Sequence, residues 1–317
     1  MRDIHHVLRT TTTFAADGAF DSDAFREYLS RFVDAGHGVY LASGGSGEGH
    51  ALTGDELREV YRVGVEVCKG RVPIYSNQPE QYTAKATIEL AELAIEAGVD
   101  ALNIYGPVGS HAEKANEAEF VAYFDRVLSE ISYPVIVALN PTIGHYPSAR
   151  TLAEICNKYS QVVAVNALPP TIGILPDTYF LSLQGELTRD VAIYVHYIGA
   201  LTLLDMGAAG TLGNEPNIIP KTFRQFLDAY RAQDYQEAIR VYSDIRRFAQ
   251  FVLQFGGTPR WIKMAMKVFK LPGGEGGLRE PFLMPGQAEL ERFATGAVSL
   301  DLPEITELAR ASGLIAR

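Results

Sequence analysis

Short apolar runs alternate with amphipathic segments along the first two thirds of the chain. The runs are apolar throughout instead of alternating with polar residues, which is typical of strands covered by protein on both faces. Between them, apolar residues recur at the spacing of one helix face. The pattern therefore predicts repeated steps of a strand followed by a helix, each about 30 residues long, the size of a βα unit.

The predicted strands are Val7–Thr13, Val39–Ser43, Pro73–Asn77, Ala101–Tyr105, Pro134–Asn140, Val162–Asn166, Val191–His196 and Gly210–Gly213. The predicted helices between them are Asp23–Ala35, Asp55–Cys68, Thr83–Ala97, Glu117–Ile131, Ser148–Tyr159, Asp177–Leu183 and Tyr197–Met206. Because eight parallel βα units close into a barrel more readily than they form an open sheet, the expected fold is a (β/α)8 TIM barrel.

The pattern changes at Pro220, where the strand-like runs stop. Amphipathic helical patterns then cover Lys221–Ala232, Asp234–Phe255, Trp261–Phe269 and Pro303–Ser312. We therefore expect a barrel over residues 1–219 and an all-helical extension over residues 220–317 that packs on the barrel.

Composition narrows the class of protein. The chain has 317 residues, is 47% hydrophobic and carries a formal net charge of −10, which argues against a nucleic-acid partner. Its two cysteines, Cys68 and Cys156, fall in predicted helices and form no metal or disulfide motif. The first residues lack the apolar segment of a signal peptide, and no apolar run is long enough to cross a bilayer. These features predict a cytoplasmic protein with no membrane partner.

The stretch Val39–Thr53 has the layout of a binding loop. A short apolar strand leads into Gly44, Gly45 and Gly47, which we expect to reach positive φ and to let the backbone approach a ligand. A capping box from Thr53 to Glu56 then opens a helix. A glycine-rich turn between a strand and a helix is where parallel α/β folds place ligands, although such a turn can also be merely tight.

Seven segments stand out by their order and spacing along the chain: Arg9–Phe25, Gly44–Glu48, Gly70–Ile74, Glu96–Ala101, Gly207–Leu212, Leu271–Gly274 and Arg279–Phe282. Together they resemble the motifs of the dihydrodipicolinate synthase/N-acetylneuraminate lyase family of class I aldolases. The resemblance runs over nearly the whole chain. It implies a TIM barrel with C-terminal helices, a small oxo acid or sugar acid as substrate, and a homo-oligomer, either a dimer or a tetramer.

The chain departs from this family at its reactive positions. Family enzymes form a Schiff base on a lysine that ends the sixth strand, and that position falls at Asn166. An amide cannot condense with a carbonyl to give an iminium. The family's fifth-strand tyrosine falls at Ala138, and its paired threonines fall at Gly45 and Ser46. Lys263, Lys267 and Lys270 belong to the C-terminal helical region, and no lysine terminates a predicted barrel strand, so a relocated Schiff base is disfavoured.

Polar residues at the predicted strand ends remain as site candidates. His196 is the candidate general acid–base, with capping of a helix as the structural alternative. Tyr105 and Asn166 are candidate donors to a developing oxyanion. The candidate substrate-binding residues are Gly45, Ser46, Glu48, Asn140 and Asn214. For Glu48 we favour a structural role, in which its carboxylate bonds to backbone amides of its own turn. For Asn140, directly before Pro141, we favour a role in stabilising a turn.

A metal site is a further hypothesis. His111 and His145 follow predicted strands, and they could join His196 and Glu48 as ligands. Their spacing matches no short metal motif, so the sequence predicts neither a metal nor any other cofactor.

Two functions follow from these observations. The first is a lyase of the aldolase type that acts on a small 2-oxo acid or a related carbonyl compound without a lysine Schiff base. The second is a non-catalytic relative that binds a ligand or regulates a partner and has lost aldolase activity. The polar strand ends favour the enzyme.

Overall fold

The computed structural model describes residues 4–109, 113–167 and 176–316. Its eight strands follow one another in chain order around a closed barrel. They are β1 (His5–Arg9), β2 (Gly38–Leu41), β3 (Ile74–Ser76), β4 (Ala101–Tyr105), β5 (Val135–Leu139), β6 (Val162–Ala167), β7 (Ala192–His196) and β8 (Gly210–Gly213). The predicted TIM-barrel fold is therefore confirmed.

A helix follows each strand, and further helices follow the last one. The helices are α1 (Ser22–Asp34), α2 (Gly54–Cys68), α3 (Ala84–Ala97), α4 (Glu117–Glu130), α5 (Ala149–Lys158), α6 (Pro176–Glu186), α7 (Ala200–Asp205), α8 (Pro220–Arg231), α9 (Tyr235–Val252), α10 (Arg260–Val268), α11 (Gln287–Ser299) and α12 (Pro303–Ser312). No helix in the described residues is long and apolar enough to cross a membrane.

Local sequence signals set several of these boundaries. At the start of α2, the Thr53 side chain accepts the Glu56 N–H while the Glu56 carboxylate accepts the Thr53 N–H, which is the predicted capping box. At the end of α3, Gly98 adopts the left-handed conformation with φ of 86°. Short polar and glycine signals thus explain where these helices begin and end.

One predicted strand is shorter in the structure, and one helix has no counterpart in the prediction. The first strand ends at Arg9 and not at Thr13, because threonines that follow it bond with their hydroxyls to backbone carbonyls of β2 and of the loop after β2. The Thr10 hydroxyl donates to the Tyr40 carbonyl at 3.0 Å, and the Thr12 hydroxyl donates to the Gly47 carbonyl at 2.6 Å. Helix α11 has no counterpart in the prediction, since few of its residues are buried.

The described chain forms two compact units. One comprises residues 6–74 and 213–316, and the other comprises residues 4–5 and 75–212. In the first unit, Glu304 of α12 accepts the backbone N–H groups of Lys221 and Thr222 at 3.1 and 2.7 Å. These bonds satisfy N–H groups in the first turn of α8 that would otherwise lack a partner. The C-terminal helices are thus tied to one another by a buried carboxylate.

Candidate active site

The predicted site residues fall into two groups, one in each compact unit. The group in residues 6–74 and 213–316 contains Gly45, Ser46, Glu48 and Asn214. The group in residues 75–212 contains Tyr105, Asn140, Asn166 and His196. Each group is described by itself.

The loop after β2 turns through left-handed residues that are not glycine. Ala42 has a φ of 62° and Glu48 a φ of 53°, whereas none of the three glycines between them has a positive φ. A Cβ added to Gly47 would lie 2.6 Å from the Ser43 backbone nitrogen. The expectation that these glycines supply positive φ is therefore wrong. Close packing of the loop against itself is what requires glycine at position 47.

Glu48 is fully buried and bonded to protein groups. Its Oε1 accepts the Arg279 backbone N–H at 2.8 Å, and its Oε2 lies 3.3 Å from the Lys263 Nζ. A buried carboxylate held by a cation and an N–H group fixes the loop that carries it. This arrangement supports the structural role of Glu48 over that of a second base.

Lys263 lies on α10, yet its ammonium reaches the residues that follow β1. Its Nζ donates to the Thr12 carbonyl and lies 4.5 Å from the centroid of the Phe14 ring. Burial lowers the pKa of Lys263 to about 8, and the Glu48 carboxylate opposes that shift. Lys263 therefore lies on a helix and ends no strand, as predicted, but its ammonium reaches well beyond that helix. The side chain extends from its helix into the loops beyond β1 and β2.

Two of the predicted substrate-binding residues are in direct contact. The Ser46 hydroxyl donates to the Asn214 Oδ1 at 3.0 Å, and the Asn214 N–H donates to the Glu215 carboxylate at 3.0 Å. Gly45 has space around it, since an added Cβ would find its nearest neighbour, the Thr258 Oγ1, at 4.0 Å. The loop after β2 is thus joined to the residues after β8 within the same unit.

In the other unit, three buried asparagines form a chain of side-chain amides. The Asn166 Nδ2 donates to the Asn103 Oδ1 at 2.7 Å, and the Asn103 Nδ2 donates to the Asn77 Oδ1 at 2.7 Å. All three side chains are fully buried. At the far end, the Asn77 Nδ2 has no hydrogen-bond partner among the described residues. The sequence indicated these residues as separate strand-end polar groups, and the structure joins them.

Tyr105 and Asn166 flank the small residue Ala138. Strand register pairs Tyr105 with Ala138 and Ala138 with Asn166, so the three side chains share one face of neighbouring strands. Asn103, two residues before Tyr105, lies on that face too and bonds to Asn166. A tyrosine hydroxyl and an amide therefore stand on either side of a methyl group, which leaves room between them.

His196 and Asn140 both make local bonds. The His196 Nδ1 accepts the Ile198 N–H at 3.3 Å at the end of β7, which is the capping arrangement foreseen as its structural alternative. The Asn140 Oδ1 accepts the Thr142 N–H at 3.0 Å and the Thr142 hydroxyl at 2.8 Å. An oxygen with two local donors is typical of turn chemistry. The catalytic and binding roles of these two residues stay predictions.

The two loop histidines considered as metal ligands are His145 and His111. The His145 Nε2 lies 2.6 Å from the Glu117 carboxylate. Burial alone would raise the pKa of Glu117, but hydrogen bonds from Thr151, His145 and Ser148 lower it to about 2. His111 lies outside the described residues. Among the described residues, no cluster of three or more histidine, cysteine or acidic side chains is placed to hold a metal ion.

Eight parallel βα units in a closed barrel, followed by C-terminal helices, define the class of TIM-barrel proteins. Comparison with known proteins narrows this class. The chain matches the Dihydrodipicolinate synthetase family over residues 5–295, and it belongs to that family.

Individual relatives agree with this assignment. The 4-hydroxy-tetrahydrodipicolinate synthase of Maridesulfovibrio salexigens is 31% identical over 229 residues, which cover 70% of this chain and 74% of the relative. The fold is shared with dihydrodipicolinate synthase from Aquifex aeolicus, with a TM-score of 0.82 at 18% identity over 95% of this chain and 99% of the other. It is also shared with YagE of E. coli K12, solved in complex with pyruvate, with a TM-score of 0.82 at 19% identity over 95% and 99% of the two chains.

Proposed function

We propose that this protein is an aldolase-type lyase that acts on a small 2-oxo acid or a related carbonyl compound without a lysine Schiff base. The observation that carries the proposal is Asn166, which stands buried on β6 in a chain of amides. No lysine lies on a barrel strand in the described residues. An amide donates hydrogen bonds but does not form an iminium, so chemistry at this position is non-covalent.

The proposed reaction is a retro-aldol cleavage of a 4-hydroxy-2-oxo acid. The His196 Nδ1 releases the Ile198 N–H and takes the proton of the 4-hydroxyl group, the bond between C3 and C4 breaks, and an aldehyde leaves. The electron pair of that bond moves to C3 and delocalises onto the carbonyl oxygen as an enolate. Tyr105 and Asn166 donate hydrogen bonds to that oxygen, and protonation of C3 by His196 completes the reaction. The reverse sequence is the condensation.

Four residues are proposed to contact the substrate. Gly45, Ser46 and Asn214 present backbone and side-chain groups in the loops after β2 and β8, while Glu48 holds the first loop in shape. Asn140 is proposed to contact substrate through its amide N–H group. The relatives' names and the pyruvate bound to YagE support a small oxo acid as substrate. We further propose that the protein works as a cytoplasmic homo-oligomer.

A different mechanism has one specific observation in its favour. Lys263 is 1% exposed and its pKa is lowered to about 8 because of burial, which increases the fraction of neutral amine at neutral pH. Against this, Nζ already has the Thr12 carbonyl, the Glu48 carboxylate and the Phe14 ring as partners. An amine held in this way has to break a buried ion pair before it can attack a carbonyl, so we favour the non-covalent route.

A turnover screen tests the proposal. The protein is incubated with a panel of 4-hydroxy-2-oxo acids, and released pyruvate or aldehyde is measured. We expect turnover with at least one acid, and a decrease of about 100-fold or more in kcat for His196→Gln, in line with loss of a general base. His145→Gln, a histidine that bonds to Glu117 at the start of α4, serves as the matched control and should keep activity. Binding without turnover across the panel would instead support the non-catalytic relative.

A further inference from the structure

Arg9 is a buried cation with an unmatched donor. It is the last residue of β1 and only 8% exposed. Its Nη2 is buried and has no hydrogen-bond partner among the described residues. A guanidinium removed from water loses several kcal/mol of solvation, which hydrogen bonds and an anion normally offset. The protein groups described here do not provide that compensation at Nη2.

Two partly buried arginines of the same unit have acceptors for their Nη atoms. The Arg31 Nη1 donates to the Asn217 carbonyl at 2.8 Å, and its Nη2 donates to the Ile218 carbonyl at 3.2 Å. The Arg279 Nη1 donates to the Glu56 carboxylate at 2.8 Å and to the Ala51 carbonyl at 2.9 Å. Arg9 is more deeply buried than these two arginines, yet its Nη2 lacks the acceptors that their Nη atoms have.

Strand alternation places Arg9 on the inner face of the sheet. The His6 ring lies 4.6 Å from the Phe223 ring of α8, so His6 faces the helices. Side chains alternate along a strand, which turns Arg9 to the opposite face. On β2 the register partner of Arg9 is Tyr40, while the next residue, Leu41, packs on Gly64 of α2. Arg9 and Tyr40 thus share the inner face.

A second unmatched donor lies two residues beyond Arg9. The Thr11 side chain is fully buried, and its Oγ1 has no hydrogen-bond partner among the described residues. The Thr11 backbone is held in place, because its N–H donates to the Asn217 Oδ1 at 3.3 Å. A charged donor and a hydroxyl donor, both buried and both unmatched, occur together at the end of β1.

We infer that Arg9, with the Thr11 hydroxyl, binds the carboxylate group of the substrate. A planar guanidinium accepts a carboxylate through parallel N–H···O bonds, and the ion would restore the charge compensation that Arg9 lacks. The inference rests on the proposed function for the identity of the ligand as a small 2-oxo acid. The negative charge of the carboxylate is then what Arg9 recognises, so a neutral analogue of the same shape should bind poorly.

The experiment compares pyruvate with pyruvamide, which replaces the carboxylate by a neutral amide of similar shape. Binding is measured by calorimetry, and thermal unfolding is followed in parallel, for wild type, Arg9→Met and Arg9→Lys. Inorganic phosphate is included as a non-carboxylate anion. We expect wild type to bind pyruvate at least tenfold more tightly than pyruvamide or phosphate. Arg9→Met should lose that preference, and Arg9→Lys should keep part of it.

Thermal unfolding without added ligand gives an independent readout. If Arg9 is held for a ligand, Arg9→Met removes an uncompensated buried charge, and its Tm should equal or exceed that of wild type. A lower Tm with an unchanged preference for pyruvate would overturn the inference and assign Arg9 to structure. An equal response to phosphate and pyruvate would show general anion binding and would overturn the carboxylate assignment.

The two proposals fail in different ways. Arg9-dependent binding of pyruvate without turnover of any hydroxy oxo acid would keep the carboxylate site and remove the lyase. Turnover whose KM does not change in Arg9→Met would keep the lyase and remove Arg9 from recognition. Arg9→Lys covers the case in which Arg9→Met does not fold, since it keeps the charge and shortens the reach.

Discussion

Lys263 and Arg9 are buried cations of the same compact unit, and their surroundings are opposite. The Lys263 ammonium has a carboxylate 3.3 Å away, a carbonyl acceptor and an aromatic ring. The Arg9 guanidinium has an unmatched nitrogen and lies on the inner face of the barrel sheet. A buried charge with protein partners for all its polar atoms has a structural role, whereas a buried charge with an unmatched polar atom indicates a ligand.

The satisfied cation joins parts of the chain that are far apart in sequence. Lys263 on α10 and Arg279 beyond it both bond to Glu48, at the end of the glycine-rich loop. The C-terminal helices therefore set the shape of a loop that follows β2. The helical extension thus helps to hold this loop in place.

Lys263→Met tests the structural half of the comparison and has the largest expected effect. The substitution leaves the Glu48 carboxylate buried without its cation, which should lower the free energy of unfolding by about 3–5 kcal/mol. Urea unfolding measures the change, and Lys267→Met, on the exposed part of the same helix, is the matched control. Adding Glu48→Gln to Lys263→Met should recover much of the loss. A change below about 1 kcal/mol in the single variant would show that the pair does not stabilise the fold.

His37 is a third buried basic residue of this unit, and unlike Lys263 and Arg9 it is expected to be neutral at neutral pH. It is fully buried, its Nε2–H donates to the Pro220 carbonyl at 2.7 Å, and burial lowers its pKa to about 4. Because the unfolded chain binds this proton at about pH 6.5, stability should fall as the pH drops from 6.5 to 4, by about 3 kcal/mol in total. Unfolding measured across this range should show a shallower slope in His37→Gln. His50→Gln, an exposed histidine, should keep the wild-type slope.

Paired glycine substitutions sharpen the description of the loop itself and have the smallest expected effect. Gly47→Ala places a Cβ 2.6 Å from the Ser43 backbone nitrogen and should cost about 1–3 kcal/mol. Gly45→Ala meets nothing closer than 4.0 Å and should leave stability nearly unchanged. Thermal unfolding of both variants gives the comparison. Equal losses would mean that the loop is not held in this conformation.

The fold was predictable because it depends on local patterns. Apolar strands, helical spacing and glycine caps such as Gly98 are each visible in a short window of sequence. The predicted first strand extends too far because a run of threonines has strong β-propensity. In the structure, the Thr10 and Thr12 hydroxyls bond to the carbonyls of Tyr40 on β2 and of Gly47 in the loop after β2. Helix α11 was missed because it buries only a few side chains.

The site was less predictable because its contacts are long-range. Nothing near Lys263 in sequence indicates that its ammonium lies beside Glu48, more than two hundred residues away. The amide chain joins residues from three strands, which the sequence shows only as separate asparagines. Arg9 did leave a signal, since an arginine that ends an apolar strand run is unusual, but its unmatched nitrogen becomes visible only in the structure.

The most direct test of iminium-free chemistry is the intact mass of the protein after incubation with pyruvate and borohydride. Borohydride reduces an iminium to a stable secondary amine, so any Schiff base would remain as an added mass. Because Asn166 on β6 is an amide and Lys263 is held in a buried pair, we expect an unchanged mass in wild type. A pyruvate adduct that disappears in Lys263→Met would contradict it and would assign the chemistry to that amine.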